Sequence, residues 1–214
     1  METLEKIFAA KLLKVKAIKL QPTNPFTWAS GWKSPFYCDN RKTLSYPELR
    51  NFVKIEIGRL IAERFPEADA IAGVATGAIP QGALVADLLK LPFVYVRSKP
   101  KDHGLENLIE GELRPGMKVV VVEDLISTGG SSLKAVEAIR NNGCEVSGMV
   151  AAYTYGFDVA AQAFKAANVK LITLTNYEAV VAEAVRIGYI DPSDVEVLNE
   201  WRKDPVSYTH LTLP

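Results

Sequence analysis

The residues best suited to chemistry in this sequence lie between positions 119 and 132. Four consecutive valines, Val119–Val122, run into the acids Glu123 and Asp124, and a segment of small residues and a helical pattern follow. The valine run is typical of a buried parallel strand, and we expect Ser131 or Ser132 to cap the helix. Backbone N–H groups at such a helix start bind phosphate-sized anions, whereas adjacent carboxylates suit hydroxyl groups or a hydrated metal ion. Together these features predict a sugar phosphate ligand; the alternative is an ordinary strand–turn–helix with an aspartate near its cap.

The overall composition excludes several classes of protein. The 25 basic and 25 acidic side chains balance, so no global field favours nucleic acid or an anionic membrane as a partner. The apolar runs are too short for a membrane span, and the first residues are too polar for a secretion signal. Cys38 and Cys144 stand alone in sequence, which predicts reduced thiols in a cytoplasmic protein and disfavours a structural zinc site.

Strand and helix patterns alternate from residue 70 onwards. The segments that we interpret as strands are 70–75, 93–97, 118–122, 145–153 and 171–175. Helical patterns separate most of them, which predicts an α/β fold whose mainly parallel sheet is flanked by helices. The residues before them contain a helix, a hairpin around Ser30-Gly31 and a second helix from Pro47, and they predict a small N-terminal hood.

A long polar segment, residues 98–116, precedes the valine strand. It follows Arg97 and contains Lys99, Lys101 and His103 near its start. A solvated charged loop is the ordinary interpretation of such a run. However, a structureless loop of this length in a compact domain is usually functional. A mobile basic lid could neutralise a departing diphosphate and exclude water from the reaction.

Two shorter segments are weaker candidates for binding. Ala75–Ala78 follows a predicted strand, and Gly77 would let the backbone approach a second anion, although an ordinary turn fits equally well. The segment Phe26–Asp39 combines aromatic residues with Lys33. It suits a flat anionic ring, and the alternative is a hydrophobic hairpin that packs on the core.

Three motifs together resemble the orotate phosphoribosyltransferases, a branch of the type I phosphoribosyltransferases. They are F-T-W-A-S-G-x-K-S-P-x-Y-C-D from Phe26, V-R-S-K-x-K-x-H-G from Val96 and V-V-V-V-E-D-L-I-S-T-G-G-S from Val119. The last motif is shared by many phosphoribosyltransferases, and the first two are similar to the orotate branch. The motif from Val119 is neither a Walker loop nor a dinucleotide fingerprint, because the required lysine and glycine spacings are absent. The resemblance implies the type I fold and the transfer of phosphoribosyl from phosphoribosyl diphosphate (PRPP) to orotate, giving orotidine 5′-monophosphate and diphosphate in the synthesis of UMP.

The resemblance also implies roles for individual residues. It places the ribose and 5-phosphate of PRPP against a continuous set: Glu123, Asp124, Leu125, Ile126, Ser127, Thr128, Gly129, Gly130 and Ser131. It implies that Arg97, Lys101 and His103 contact the diphosphate, with Lys101, His103 and Asp124 as catalytic residues. Orotate would lie beside Ser127, and Lys33 is our candidate for binding its carboxylate.

The sequence departs from some members of the resembled family. Those members carry lysines where Ala29, Gly77 and Ser98 stand here, and an arginine near Tyr155. Lys99 could replace the missing loop lysine. Because the usual partners of the orotate carboxylate are among these positions, that contact is not assigned by the resemblance alone.

The resemblance further implies a cofactor, an assembly and a division of the chain. We expect Mg²⁺ bound mainly through the diphosphate, and a cytoplasmic homodimer in which loop 98–116 reaches the neighbouring site. Residues 1–66 would form the hood and base-binding region and residues 67–205 the PRPP-binding core, while residues 206–214, which lack any element pattern, would be a non-native tail. A phosphoribosyltransferase for another nucleobase and a non-catalytic PRPP-sensing regulator remain the alternatives.

Overall fold

The computed structural model describes residues 3–27, 33–99 and 108–205 of the chain. The predicted hairpin turn at Ser30-Gly31 lies outside these ranges, as do part of the predicted loop and the whole of the predicted tail. Among the residues described, none of the helices combines the length and the apolar character needed to cross a membrane.

The chain divides into two compact units. One contains Met1–Thr43 together with Thr175–Pro214, and the other contains Leu44–Leu174. These boundaries differ from those of the predicted segments 1–66 and 67–205, because the last helix of the first segment packs within the second unit. The functional division into a hood and a core stays a prediction.

The first unit combines small antiparallel pairs with helices. Its elements are α1 (Leu4–Lys14), β1 (Ile18–Leu20), β2 (Phe26–Thr27), β3 (Lys33–Ser34), β4 (Phe36–Cys38), α6 (Tyr177–Arg186) and α7 (Asp194–Lys203). β1 pairs with β4 and β2 with β3. A 3₁₀ helix, Asn40–Ser45, follows β4.

Three buried aromatic rings form the centre of the first unit. The rings of Phe36 and Trp201 are stacked with centroids 6.1 Å apart, and Tyr177 lies 5.1 Å from Phe36 and 5.9 Å from Trp201. The Tyr177 hydroxyl donates a hydrogen bond of 2.7 Å to the carbonyl oxygen of Leu198. The ring therefore contributes apolar area to the core while its polar end is satisfied.

The second unit contains the main sheet. Its elements are α2 (Pro47–Arg64), β5 (Ala70–Val74), α3 (Ile79–Leu89), β6 (Phe93–Val96), β7 (Ile109–Glu110), β8 (Lys118–Ile126), α4 (Gly130–Asn141), β9 (Glu145–Thr154), α5 (Asp158–Ala166) and β10 (Leu171–Asn176). The strand order is β10-β9-β8-β5-β6-β7. β5 pairs in parallel with β6 and β8, and β8 with β9, whereas β7 is antiparallel to β6. The predicted α/β fold with a mainly parallel sheet is confirmed.

The core of this unit lies around β8. All four residues of Val119–Val122 have no exposed surface, because neighbouring strands flank β8 and side chains from both faces of the sheet are covered. Such a strand is apolar on successive residues rather than on alternate ones. The pairing of β8 with β9 shifts register between Val119 and Val120, where β9 contains one extra residue, Ser147.

Some predicted elements differ from the structure. β8 continues to Ile126, four residues beyond its predicted end, because Leu125 and Ile126 pair with Tyr153 and Thr154 of β9. The segment 98–116 is not structureless throughout, since it contains the short strand β7, which pairs with β6. Helix α7 begins at Asp194 rather than at Pro192.

The close packing of α2 and β9 at Gly148 yields a test of the fold. A Cβ atom at this position would collide with the ring of Phe65 and lie 3.0 Å from the carbonyl oxygen of Lys170. We expect Gly148→Ala to lower the free energy of unfolding by about 1–3 kcal/mol through overpacking, measured by urea denaturation. Gly58→Ala is the matched control, because the new methyl group would meet only the end of the Leu88 side chain, which can rotate away. Equal stability of the two variants would contradict this account.

Candidate active site

Three of the loops singled out in the sequence meet at one edge of the sheet. β8, β5 and β6 are neighbours and run parallel. Their carboxyl ends therefore lead into the segments 127–129, 75–78 and 97–99 on the same side. Ligands of open α/β sheets collect at this edge.

The two acids at the end of β8 differ in their exposure. Glu123 is 5 % exposed, whereas Asp124 is only partly buried. The hydroxyl of Ser132 donates a hydrogen bond of 2.8 Å to Oε2 of Glu123, and the backbone N–H of Asp124 donates one of 3.0 Å to Oε1. Glu123 therefore connects the first turn of α4 to the strand, and Asp124 is the acid that a ligand can reach.

Burial changes the protonation of this pair. Desolvation raises the pKa of the Glu123 carboxyl to about 9, with further increases from a hydrogen bond to Asp124 and from its charge, while the bonds from Ser132 and the Asp124 backbone act in the opposite direction. Glu123 is thus held as a neutral acid near pH 7. A neutral carboxylic acid repels a nearby phosphate less than a carboxylate does, and it can also donate a hydrogen bond.

The small-residue loop after β8 leads directly into α4. Gly129 precedes the helix with φ of 82°, and a Cβ atom there would lie 2.8 Å from the ring of Phe164, so both conformation and space favour glycine. Thr128, Gly130 and Ser131 are exposed. The N–H groups of a first helical turn have no partners within the helix and are available to an anion.

The prediction that Ser131 or Ser132 caps α4 is wrong. Neither Ser131 nor Ser132 caps α4, because Gly129 occupies the N-cap position and the helix has no side-chain cap. The hydroxyl of Ser132 instead lies buried and bonds to Glu123. Capping rules consider only local partners, whereas here the acceptor lies nine residues earlier on the neighbouring strand.

The turn after β5 brings Gly77 against the second acid. The turn includes a cis peptide bond between Ala75 and Thr76. A Cβ atom on Gly77 would overlap the carboxyl group of Asp124. The turn and the acid, which are distant in sequence, are therefore in direct contact.

The end of β6 carries the first of the predicted diphosphate ligands. The guanidinium of Arg97 lies 3.4 Å from Oε1 of Glu110 on β7. The backbone N–H of Arg97 donates a hydrogen bond of 2.8 Å to the carbonyl oxygen of Leu108. Ser98 and Lys99 are exposed. The role of Glu110 could not be predicted from the sequence, because a strand of two residues is too short to show an alternating apolar pattern.

A cavity of about 530 Å³ adjoins this edge. Its lining combines apolar residues from the ends of β5 and β6 with polar residues of α4: Val74, Ala75, Val96, Arg97, Ser98, Leu108, Gly130, Ser131, Lys134, Ala135, Glu137, Ala138 and Asn141. Two cationic side chains and the start of α4 therefore border one space beside the phosphate loop.

Other predicted site residues are not placed here. Lys101 and His103 lie outside the described residues. Lys33 belongs to the first unit, where its amine donates a hydrogen bond of 3.0 Å to Oγ1 of Thr27. Within the ranges that the structure describes, no group of three or more histidine, cysteine, aspartate or glutamate residues is arranged to hold a metal ion.

Comparisons with known proteins agree with this geometry. Residues 47–186 match the phosphoribosyl transferase domain family. The chain is 80 % identical over 208 residues to an orotate phosphoribosyltransferase from Bacteroides thetaiotaomicron, covering 97 % of this chain and 98 % of the relative. The chain belongs to the orotate phosphoribosyltransferases.

Further relatives of this orotate phosphoribosyltransferase support the same conclusion. The orotate phosphoribosyltransferase from Porphyromonas gingivalis is 70 % identical, covering 97 % of this chain and 99 % of the relative. The crystal structure of orotate phosphoribosyltransferase from Aeropyrum pernix superposes with a TM-score of 0.74 at 28 % identity, covering 86 % of this chain and 99 % of that chain. The family and the type I fold implied by the motifs are therefore confirmed.

The pKa of Glu123 predicts how stability depends on pH. Because the pKa rises from its ordinary value of 4.5 to about 9 in the folded protein, the contribution of the protonated acid is fully present below about pH 4.5. It is lost as the pH rises through about 9. We expect Glu123→Gln to lower stability most at low pH, since the amide oxygen can accept only part of the two hydrogen bonds, and to flatten the pH dependence because the amide does not titrate.

The measurement is the melting temperature of both proteins from pH 5 to pH 9. The wild-type value should fall relative to that of the variant as the pH increases. Two parallel curves would show that Glu123 is already ionised in the folded protein at neutral pH.

Proposed function

We propose that this chain transfers the phosphoribosyl group of PRPP to orotate, forming orotidine 5′-monophosphate and diphosphate. The observation that carries the proposal is the contact of a partly accessible aspartate, Asp124, with the turn 75–78, at the edge of the sheet where the small-residue loop 127–129 leads into α4. The relatives are orotate phosphoribosyltransferases, and orotate is therefore the base that we propose. A ligand with one 5-phosphate, two ribose hydroxyls and a diphosphate matches this arrangement.

The acid pair would bind the ribose and favour the reaction at its anomeric carbon. Departure of diphosphate leaves positive charge on the ribose ring, as in other glycosyl transfers. Asp124 accepts hydrogen bonds from the ribose hydroxyls and places negative charge near that carbon. Glu123 is a buried neutral acid that accepts hydrogen bonds from the backbone of Asp124 and from Ser132 in the first turn of α4. No protein nucleophile is required, so catalysis rests on positioning and electrostatics.

The cationic residues would bind the leaving diphosphate. Arg97 is paired with Glu110 in the structure, and a diphosphate with more negative charge would compete for its guanidinium. Lys101 and His103, with Lys99 as a substitute for the missing loop lysine, would add positive charge. Mg²⁺ would bind mainly to the diphosphate, because it retains waters and needs few protein ligands.

The remaining assignments concern orotate and the assembly. Ser127, at the start of the phosphate loop, would lie beside the orotate ring, and Lys33 would bind its carboxylate. We also propose that the enzyme is a cytoplasmic homodimer in which loop 98–116 of one subunit reaches the site of the other. These assignments rest on the resemblance of the motifs.

The decisive experiment is a spectrophotometric assay of orotate consumption with PRPP and Mg²⁺. Turnover of orotate, with little turnover of adenine, guanine or hypoxanthine under the same conditions, would support the proposal. Preference for a purine would show that the enzyme uses another base. Binding of PRPP without turnover of any base would indicate a regulator.

Asp124→Asn should strongly reduce turnover without unfolding the protein. The amide retains the shape of the carboxylate but loses its charge, and removal of one preorganised electrostatic group costs about 2.7–4 kcal/mol of transition-state stabilisation. We therefore expect kcat/KM for PRPP to fall by about 100-fold or more. Asp87→Asn, at an exposed acid of α3, is the control and should retain full activity. Near-normal kcat/KM in Asp124→Asn would remove this residue from the mechanism.

Two inactive variants test whether sites are shared between subunits. Lys101→Ala damages the loop, and Asp124→Asn damages the ribose site. If loops act across the interface, a heterodimer contains one site with both parts intact. After dissociation and reassembly of an equal mixture, activity should approach about a quarter of wild type for statistical pairing. Each variant carried through the same procedure alone is the control, and heterodimers without activity would show that each loop serves its own subunit.

A further inference from the structure

Gly77 lies in a position where any side chain would meet the catalytic acid. A Cβ atom on Gly77 would lie within 2.8 Å of all three carboxyl atoms of Asp124. Rotation of a single oxygen could not relieve this overlap, so the whole carboxyl group would have to move. Gly77 is not among the glycines with a positive φ, so the left-handed conformation that favours glycine is not the reason for glycine here. The three atoms nearest to a Cβ at this position all belong to the Asp124 carboxyl group.

Asp124 has little freedom to yield through its backbone. Its N–H group donates a hydrogen bond to Glu123, and its neighbours Glu123 and Leu125 pair with β9. A collision at Gly77 would therefore be relieved by rotation of the Asp124 side chain, which would turn the carboxyl group away from the turn after β5.

We propose that Gly77 is a positioning residue, whose missing side chain allows the Asp124 carboxylate to lie against the turn between the ribose and diphosphate subsites. This inference rests on the proposed function for its effect on turnover. The position of the acid and the residue at 77 are thus linked.

The first test compares two glycine variants. Gly77→Ala should lower kcat/KM for PRPP by about tenfold or more, because a reactive group misplaced by about 1 Å can cost on the order of 100-fold. Its melting temperature should stay close to that of the wild type if rotation of the Asp124 side chain absorbs the overlap. Gly58→Ala adds the same methyl group against the end of Leu88 in α3 and should keep wild-type kinetics. Unchanged kcat/KM in Gly77→Ala would overturn the inference.

A double-mutant cycle separates positioning from a general effect on the turn. Asp124→Ala removes the carboxyl group, so Gly77→Ala should cause less than about a twofold further loss in that background. Additive losses would overturn the inference, because the turn would then be acting without Asp124. If Gly77→Ala alone fails to fold, the double variant should fold as well as Asp124→Ala, and failure of the double variant would also refute the proposal.

A crystal structure of Gly77→Ala gives a readout that does not depend on the substrate. The Asp124 carboxyl group should be rotated away from residue 77, with the backbone of β8 unchanged. An unmoved carboxyl group would overturn the inference even if activity were lost. Absence of orotate turnover in the wild-type enzyme would refute the proposed function instead, and the displacement of Asp124 would still decide the role of Gly77.

Discussion

The burial of one carboxyl group, that of Glu123, is the constraint on which the rest of the site depends. An isolated charge in the interior costs several kcal/mol, and the neighbouring Asp124 adds to the cost of ionising Glu123. The two bonds from Ser132 and the backbone of Asp124 act in the opposite direction without offsetting these effects, so the pKa of Glu123 is raised. The neutral acid then joins the strand, the start of α4 and the second acid. The loop between β8 and α4 is consequently held at both of its ends.

This arrangement separates buried residues from accessible ones. Glu123 and Ser132 are buried and bond to other residues of the protein, whereas Asp124 is partly accessible and Thr128 and Gly130 are exposed. The adjacent strand contributes a cation that already has an acidic partner, Glu110. In the role proposed for Arg97, the diphosphate would compete with Glu110 for its guanidinium.

The sequence predicted the fold class and the site loops better than it predicted the contacts between them. Alternating patterns suffice for the parallel sheet, because buried strands and amphipathic helices have distinct periods. The end of β8 could not be predicted, since the acids Glu123 and Asp124 interrupt its apolar run and the residues after them are kept in the strand by pairing with β9. Ser132 looked like a cap because the rule for capping is local, and its actual acceptor is fixed by tertiary structure. The contact between Gly77 and Asp124 joins residues far apart in the chain, which a single sequence does not reveal.

The extra residue in β9, Ser147, limits the insertions and deletions that this strand can accept. Neighbouring residues of a strand point to opposite faces, so pairing that slips by one residue exchanges the two faces. The register shift at Val119 and Val120 sets the phase in which β9 meets the end of β8, where Tyr153 lies beside Leu125. Loss of Ser147 would move every later partner by one place, up to the strand end that carries the acids. We therefore expect insertions and deletions to be tolerated less in this strand than in surface loops.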